Sequence, residues 1–469
     1  MSHTMFQPGM RGGLARVRPP STTAVSASTL VGRTPVDGDE FVQARSQWKL
    51  VSRTMVFAGF MLYIFVITTY RFNVGDVAVG IALAGLLFQR EGIRFGGPLT
   101  GFVMLYAWCA VGYFQTEYRG PVYEELINMG KLALILLAMI NALRTRSQVR
   151  AFIVFWVACF GLFPLRGAYF TYFVGGYTVD GRAVWNYIYR NPNDLAALTL
   201  LMVGLCAGVL VSDVNKWVRR AAVLGLVTLS LLVFMTQSRG AFLGLAGFGV
   251  LALAGYKHRI RALAFTAVAG VVIALAAPKD VWERLGNMTK ATETENLGEL
   301  DDKGSGEQRL AIWKTAVRIT ADHPAFGVGW GAYPNANEDY APRSGALDTR
   351  QGARDAHNTY LRTVAEIGFP GLGLFLGLIS WTLTYAGRVR RRCKEIMPTA
   401  SQQLLFAQYG LVAFLTAGIF GSFSRLAFLY VYITLIWLLA RVCEDDLAAL
   451  KREGHLERGS SAAPRPAYR

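Results

Sequence analysis

The sequence predicts an all-helical protein that crosses a membrane many times. Of its 469 residues, 53% are hydrophobic and only 17% are charged, whereas soluble domains contain about 25% charged residues. The apolar residues are gathered in runs of roughly 17–25 residues, the length that crosses a bilayer core of about 30 Å as a helix. Because a water-free core offers backbone polar groups no other partner, these runs should be α-helices.

Twelve runs qualify as candidate spans. The run at 74–89 is short, and the run at 151–175 contains Pro164 and Arg166. In chain order the spans are 54–70, 74–89, 97–115, 126–143, 151–175, 193–212, 217–236, 240–256, 260–277, 365–387, 403–423 and 426–443.

The spans divide the chain into five parts. Residues 1–50 are polar and aperiodic, which predicts a disordered tail, and they lack the apolar core and cleavage site of a signal peptide. Spans 1–9 then occupy 51–277, a long polar loop occupies 278–364, spans 10–12 occupy 365–443, and a second polar tail occupies 444–469.

Charge distribution predicts how these parts face the membrane. If both termini are cytoplasmic, the cytoplasmic loops between spans hold clearly more lysine and arginine than the short outer loops, as the positive-inside rule requires. The loop at 278–364 then lies on the outer side of the membrane. Loops of this length are usually functional or disordered.

Composition excludes several classes of function. A net charge of +17 does not indicate nucleic-acid binding here, since basic residues flank membrane helices on topological grounds and no nucleic-acid motif occurs. The five cysteines lie mostly in or beside apolar runs without metal-type spacing, so neither a disulfide framework nor a zinc site is predicted.

The long loop contains one predicted helix, at 307–322. Its apolar residues Leu310, Trp313, Val317 and Thr320 recur at helical spacing, which predicts a short amphipathic helix with these four side chains on the face that packs on the bundle or the lipid interface.

His357 is the histidine best placed for chemistry. It lies just before the tenth span, next to Asp355 and two turns ahead of Glu366. A neutral imidazole there could act as a general base on a hydroxyl. In the alternative interpretation, His357 caps or anchors the helix at the membrane surface.

Two outer arginines are candidates for anion binding. Arg239 lies in a short loop between two spans, and Arg309 lies in the first turn of the predicted loop helix. The planar guanidinium binds two phosphate oxygens at once and stays charged, so these residues could hold a lipid-linked pyrophosphate. Ordinary contact with lipid headgroups is the alternative.

Three further residues are candidates for a functional role. Arg166 lies within an apolar run beside Pro164, where a charge is costly and usually functional. Either the helix breaks and dips into the membrane, or the span ends near Phe163 and Arg166 is interfacial. Arg190 and Asn193 open the sixth span, where a plain helix cap by Asn193 or Asp194 is the simpler interpretation.

A metal site is not predicted. Asp301 and Asp302 are adjacent in an acidic stretch at 291–307 for which the sequence suggests no function, and the first outer loop, near 71–73, is too short for paired carboxylates that hold a metal. A metal-independent site built on arginine fits better, and no cofactor is implied.

Together these residues resemble the O-antigen ligase family, which includes lipopolysaccharide O-antigen ligases, oligosaccharide polymerases and bacterial protein O-oligosaccharyltransferases. The similar motifs fall between about residues 185 and 385. They are Asn-Pro-Asn at 191–193, Ser238-Arg239-Gly240, Arg309 with Trp313, GVGWGAY at 327–333, and His357-Asn358-Thr359-Tyr360-Leu361 with Glu366 and Gly368.

The resemblance implies a GT-C-like helical fold with a large periplasmic loop, and transfer of a glycan from undecaprenyl-pyrophosphate. It implies that Arg239 and Arg309 bind the pyrophosphate and that His357 activates an acceptor hydroxyl on lipid A–core, a protein or a second glycan. The remaining motif and candidate residues are assigned supporting roles: Trp313, Asp355, Asn358, Glu366, Arg166, Arg190 and Asn193.

Two alternatives remain. A polymerase would use the same histidine and arginines with a second lipid-linked glycan as acceptor. A transporter of lipid-linked glycans or small molecules belongs to a different class, but transporters often show two related halves, and here the polar candidates cluster on one face.

Overall fold

The computed structural model describes residues 55–72, 74–87, 93–213, 215–255, 305–341 and 354–461. In these ranges the chain is predominantly helical, and β-structure is limited to an isolated bridge between Val179 and Arg182. The all-α prediction is confirmed for the described part of the chain.

Fourteen α-helices are described. A π-helical turn lies at Gly161–Leu165 and a 3₁₀ turn at Tyr187–Arg190. The helices are α1 (Met55–Thr69), α2 (Gly75–Leu87), α3 (Pro98–Gly112), α4 (Arg119–Ala142), α5 (Arg146–Phe160), α6 (Arg166–Phe173), α7 (Pro192–Ser212), α8 (Lys216–Met235), α9 (Arg239–Gly255), α10 (Ser305–Asp322), α11 (Tyr333–Tyr340), α12 (Thr359–Cys393), α13 (Pro398–Ala417) and α14 (Ala427–Ser461).

Eleven of the twelve predicted spans coincide with helices, and the span at 260–277 lies outside the described residues. Within the described ranges, six helical segments are long and apolar enough to cross a membrane, and four shorter helices are apolar. The chain is therefore an α-helical membrane protein, while the total of twelve spans stays a prediction. The six segments are Arg119–Ala142, Arg146–Phe173, Pro192–Ser212, Lys216–Met235, Thr359–Cys393 and Ala427–Arg452.

The helix around Pro164 differs from both interpretations of the sequence. It neither breaks there nor ends near Phe163, because a π-turn carries it on to Phe173. Proline lacks the N–H that the helical ladder needs, and a wider turn accommodates that gap. Arg166, one residue beyond the turn, is exposed.

Several helix ends also lie beyond the predicted spans. The tail predicted at 444–469 is helical as far as Ser461, because α14 continues past its apolar part. Similarly, α12 begins at Thr359 instead of near residue 365. Hydropathy marks the apolar part of a helix, whereas charged turns can precede or follow it.

The centre of the bundle is formed by α7, α13 and α14. Gly204 of α7 faces Gly410 of α13 so closely that a Cβ at Gly204 would lie 2.7 Å from the Gly410 Cα and 2.8 Å from the Tyr432 hydroxyl. Small residues let helices approach in this way. Against this bundle, α10 and α11 pack on the first turns of α12.

Candidate active site

The first turn of α12 carries several of the predicted site residues. The Asn358 side chain accepts hydrogen bonds from the N–H groups of Tyr360 and Leu361, both at 3.0 Å, and so caps the helix. His357 precedes the cap with a φ of 47°. The interpretation in which His357 itself caps the helix is therefore wrong. The imidazole of His357 does not bind the N–H groups at the start of α12.

Arg362, which the sequence analysis missed, joins two of the candidates. Its Nη1 lies 2.7 Å from Asp355 Oδ1 and its Nε lies 2.9 Å from Glu366 Oε1. The Arg362 side chain is 5% exposed and that of Glu366 is fully buried. Buried charges need such partners. Asp355 and Glu366 are thus primarily partners of Arg362.

α12 contains a sharp kink at Gly368, where φ is 69° and ψ is −178°. A Cβ at Gly368 would lie 2.1 Å from the Ala325 carbonyl oxygen, so only glycine permits this approach. Beyond the kink, the Phe369 N–H donates to the Pro324 carbonyl at 2.9 Å. Residues 359–367 therefore form a short arm that is set apart from the long apolar part of α12.

The glycine-rich turn at 327–333 is bound to this short arm through its backbone. The Val328 N–H donates to the Ala365 carbonyl at 3.0 Å, and the Gly329 N–H donates to the Glu366 carbonyl at 2.8 Å. At Gly327, where φ is 64°, a Cβ would lie 2.3 Å from the Glu366 carbonyl carbon. The turn needs glycine because the two backbones touch.

α10 binds the other side of the His357 turn. Trp313 Nε1 donates to the Ala356 carbonyl at 2.9 Å, and the Tyr333 hydroxyl donates to the Ile312 carbonyl at 3.1 Å. These contacts connect the Arg309–Trp313 motif directly to the histidine motif.

The predicted apolar face of α10 is only partly buried within the protein. Thr320 is buried, but Leu310 and Val317 are 49% and 57% exposed. The buried face consists instead of Ile312, Thr315, Ala316, Ile319 and Thr320. The hydrogen bond of Trp313 sets the rotation of the helix, and small residues such as Ala316 then allow close packing.

His357 is half-buried and its environment favours the neutral ring. Burial is the largest cause that lowers its pKa below the ordinary value, and Arg309, Arg362 and Arg354 lower it further, while Asp355 acts in the opposite direction. Within the described ranges the imidazole makes no hydrogen bond. A neutral imidazole with a free nitrogen, close to arginines, can accept a proton.

The Ser238-Arg239-Gly240 motif opens α9 and packs near the same turn. A Cβ at Gly240 would lie 3.0 Å from the Ala417 carbonyl oxygen and from the Phe420 Cβ. The same segment, 417–421, holds the start of α12, since the Thr359 N–H donates to the Gly418 carbonyl at 2.8 Å. The SRG turn and the histidine turn thus share one support.

Residues 224–376 match the O-antigen ligase family model. This segment is about a third of the chain and contains Arg239, Arg309, Trp313, His357 and Glu366. The predicted family resemblance is confirmed, and the match supports glycan transfer by a membrane enzyme of ligase or polymerase type. No curated protein matches the chain.

Other candidates outside the matched ligase segment take different places. Asn191 caps α7 by accepting from the Asn193 N–H at 2.9 Å, so the cap is neither Asn193 nor Asp194. The Asn193 side chain instead accepts from Arg182 Nη2 at 2.7 Å, and Arg182 Nε donates to the Thr236 carbonyl. Arg182 therefore ties the start of α7 to the end of α8, two residues before the SRG motif.

The side chains of Arg166 and Arg190 form no hydrogen bond with Arg239, Arg309 or His357 in the described ranges. Both side chains are exposed, and neither has an ion pair in the part of the chain that the structure describes.

Of the two missed residues, Arg362 had a signal in the sequence, because it is a charged residue just before the apolar run at 365–387. Arg182 had none, since it lies in the middle of the loop between two spans. For Arg362, the spacing to Glu366 also matches an ion pair along one helix face.

Proposed function

We propose that this protein transfers a glycan from undecaprenyl-pyrophosphate to an acceptor hydroxyl at the periplasmic face of a bacterial inner membrane, as an O-antigen ligase. One observation carries the proposal. Within the segment that matches the ligase family, His357 is held neutral and without a hydrogen bond to any described residue, close to the charge of Arg309.

The chemistry needs a base and cations. His357 would take the proton of the acceptor hydroxyl while the hydroxyl oxygen attacks the anomeric carbon. The bond from that carbon to the pyrophosphate oxygen breaks, and the pyrophosphate leaves with the electron pair. A general base typically contributes about 10²–10⁴-fold. Attack opposite the leaving group in one step inverts the anomeric centre, so isolation of a covalent glycosyl-enzyme would contradict it.

Arg239 and Arg309 would bind the departing pyrophosphate. Negative charge grows on this group as the bond breaks, and donors aimed at developing charge usually give the largest single contribution. The attachment of the SRG turn and the α10 helix to the histidine turn supports placing both arginines around one substrate. Asp355, Asn358, Glu366 and Trp313 would support the site by holding the turn in place.

The periplasmic location rests on the distribution of lysine and arginine between loops. With both termini cytoplasmic, α10, α11 and the His357 turn lie outside. A lipid-linked donor would then reach the site from the outer leaflet. Lipid A–core, a protein or a second glycan would supply the hydroxyl.

A complementation experiment tests the proposal. A strain that lacks the gene is complemented with wild type, His357→Ala or His323→Ala, and its lipid-linked oligosaccharides and surface glycans are extracted together. His323 is a matched control, because it is an exposed histidine of the same loop that bonds to Tyr340 at 3.0 Å. Wild type and His323→Ala should restore transfer, and His357→Ala should not, although it is inserted normally.

The two pools also separate the alternatives. Long lipid-linked chains beside a bare acceptor indicate a ligase. Single repeat units in the lipid pool, with one unit on each acceptor, indicate a polymerase. If neither pool changes in the deletion strain, the protein does not transfer this glycan and the proposal is wrong.

A further inference from the structure

A cavity of about 540 Å³ lies beside the Arg362 ion pairs, among residues from α1, α2, α4, the start of α7 and the segment that leads into α14. Asp355 and Arg362 line it, whereas His357, Arg239 and Arg309 do not. The volume falls within the roughly 300–1,000 Å³ typical of small-molecule sites. This second space is therefore large enough for a ligand and distinct from the arginines assigned to the pyrophosphate.

The charges around the cavity do not suit a pyrophosphate. Each cation in its lining is already paired with a carboxylate of the lining, and one further carboxylate, that of Asp194, has no ion pair or hydrogen bond among described residues. Among the described residues, the lining thus offers a pyrophosphate no cation that lacks a carboxylate partner. The pairs are Arg362 with Asp355 at 2.7 Å, Lys131 with Asp76 at 2.8 Å, and Arg425 with Glu125.

The lining also holds buried donors without partners. Arg362 Nη2, Arg425 Nε and Ser422 Oγ are buried and make no hydrogen bond in the described part of the chain. Arg362 is only 4% exposed. Buried polar atoms are nearly always satisfied, so these donors, together with the Asp194 carboxylate, call for a ligand that both accepts and donates hydrogen bonds.

Aromatic rings complete the lining. Tyr63, Tyr70, Trp330, Phe428 and Tyr430 all border the cavity. Aromatic rings provide apolar faces, and Tyr and Trp add a polar edge. A sugar ring has the same dual character, with apolar C–H faces and hydroxyl edges that donate and accept. A lipid tail would leave the polar atoms unsatisfied.

We propose that this cavity binds a sugar ring of the glycan substrates, with Asp194 accepting from a sugar hydroxyl and Arg362 Nη2 donating to a sugar oxygen. This inference rests on the proposed function, because it assigns the glycan part of that reaction to a separate subsite. The ring comes either from the transferred glycan or from the acceptor. The exposed Asp76–Lys131 pair forms one rim, with side chains 80% and 46% exposed, and the buried Arg362 forms the inner wall.

Binding to purified full-length protein tests the inference. The protein carries His357→Ala to prevent turnover, and two probes are titrated separately. The first is the free glycan released by mild acid from the strain's own lipid-linked pool, and the second is undecaprenyl-pyrophosphate without glycan. Asp194→Asn replaces one carboxyl oxygen with an amide nitrogen at nearly constant shape, and Ser422→Ala removes one hydroxyl.

We expect Asp194→Asn to weaken binding of the free glycan roughly tenfold or more, since it replaces a carboxyl oxygen that accepts from the sugar hydroxyl with an amide donor. Ser422→Ala should weaken it less, and both variants should bind undecaprenyl-pyrophosphate as before. Arg309→Lys should show the opposite pattern. Unchanged thermal unfolding midpoints confirm that each variant is folded.

The outcomes separate this inference from the proposed function. The inference alone is overturned if both variants bind the free glycan with unchanged affinity. It is also overturned if they lose binding of undecaprenyl-pyrophosphate instead. Failure of the parent protein to bind undecaprenyl-pyrophosphate would overturn the proposed function and the inference with it. In transfer assays, a raised KM for the acceptor assigns the ring to the acceptor, and a raised KM for the donor assigns it to the transferred glycan.

Discussion

Two arginines show contrasting environments in this protein. Arg362 is buried in the short arm of α12 and bound by two carboxylates, at 2.7 and 2.9 Å. Arg239, at the first turn of α9, is half-buried and has no ion pair in the described residues. A guanidinium already neutralised by carboxylates holds structure together, whereas one without such a partner is available to an anionic ligand.

Other paired cations follow the first pattern. Arg425 contacts Glu125 and so joins the segment before α14 to α4. Arg150 and Asp213, 2.6 Å apart, join the first turn of α5 to the end of α7. Each pair connects two helices that are distant in sequence. The lack of an ion pair among the described residues thus distinguishes Arg239, which we assign to the pyrophosphate, from these structural positions.

The largest effect on stability should come from breaking an ion pair of a buried arginine. Glu366→Ala leaves the buried Arg362 with one partner fewer, and removing one member of a buried ion pair typically costs about 3–5 kcal/mol of stability. The unfolding midpoint of the purified protein in detergent measures the loss. Asp322→Ala, which breaks the exposed pair with Arg318, is the control and should change little. Equal midpoints for the two variants would contradict a structural role for Arg362.

Arg239 should behave in the opposite way. Arg239→Ala should lower the rate of transfer by about 10²–10³-fold, the typical effect of removing one donor to developing charge, while the unfolding midpoint stays the same. Arg119→Ala, at an exposed arginine, is the matched control. A variant that loses stability along with activity would place Arg239 among the structural arginines.

A smaller loss of transfer activity is expected when the charge at Arg309 is kept and the shape of its side chain is changed. Arg309→Lys keeps the cation but loses the fork that binds two oxygens, so transfer should fall roughly tenfold or more. Arg318→Lys makes the same change at an exposed position of the same helix, and should be near wild type. Near-normal transfer by the Arg309 variant would argue against two-point binding of pyrophosphate.

The smallest effect concerns pH. Burial and three arginines hold the pKa of His357 below its ordinary value of 6.5, so the midpoint of the acid limb of kcat/KM should lie below pH 6.5, where the base becomes protonated. Asp355 raises this pKa, and Asp355→Asn should therefore move the acid limb to lower pH. A profile that does not shift in the variant would show that Asp355 does not act on the base.

The sequence predicted the helices better than it predicted their contacts. Apolar runs located eleven helices correctly, because a membrane helix must be apolar along its length. Arg362 was missed because hydropathy ends a span at the last charge, which excluded residues 359–364 from α12. The cap at Asn358 shows instead that the helix begins earlier.

Rotation of a helix is also hard to predict from its sequence. In α10, Leu310 and Val317 are exposed while Ala316 is buried. The orientation depends on the bond from Trp313 to the Ala356 carbonyl, which joins segments more than forty positions apart. The motifs at Arg239, Arg309 and His357 were found because residue type and order survive in the sequence. The support that the SRG turn and the histidine turn share on 417–421 is instead a property of the fold.

The kink at Gly368 separates the membrane-spanning part of α12 from the short arm that carries the site. Its long apolar part has to match the thickness of the bilayer, and membrane helices adjust to a mismatch by tilting. The short arm at 359–367 is tied instead to the turn at 327–333 and to Gly418 by backbone hydrogen bonds. Tilt of the span should therefore be absorbed at Gly368, so that bilayers of different thickness leave the geometry around His357, and the rate of transfer, nearly unchanged.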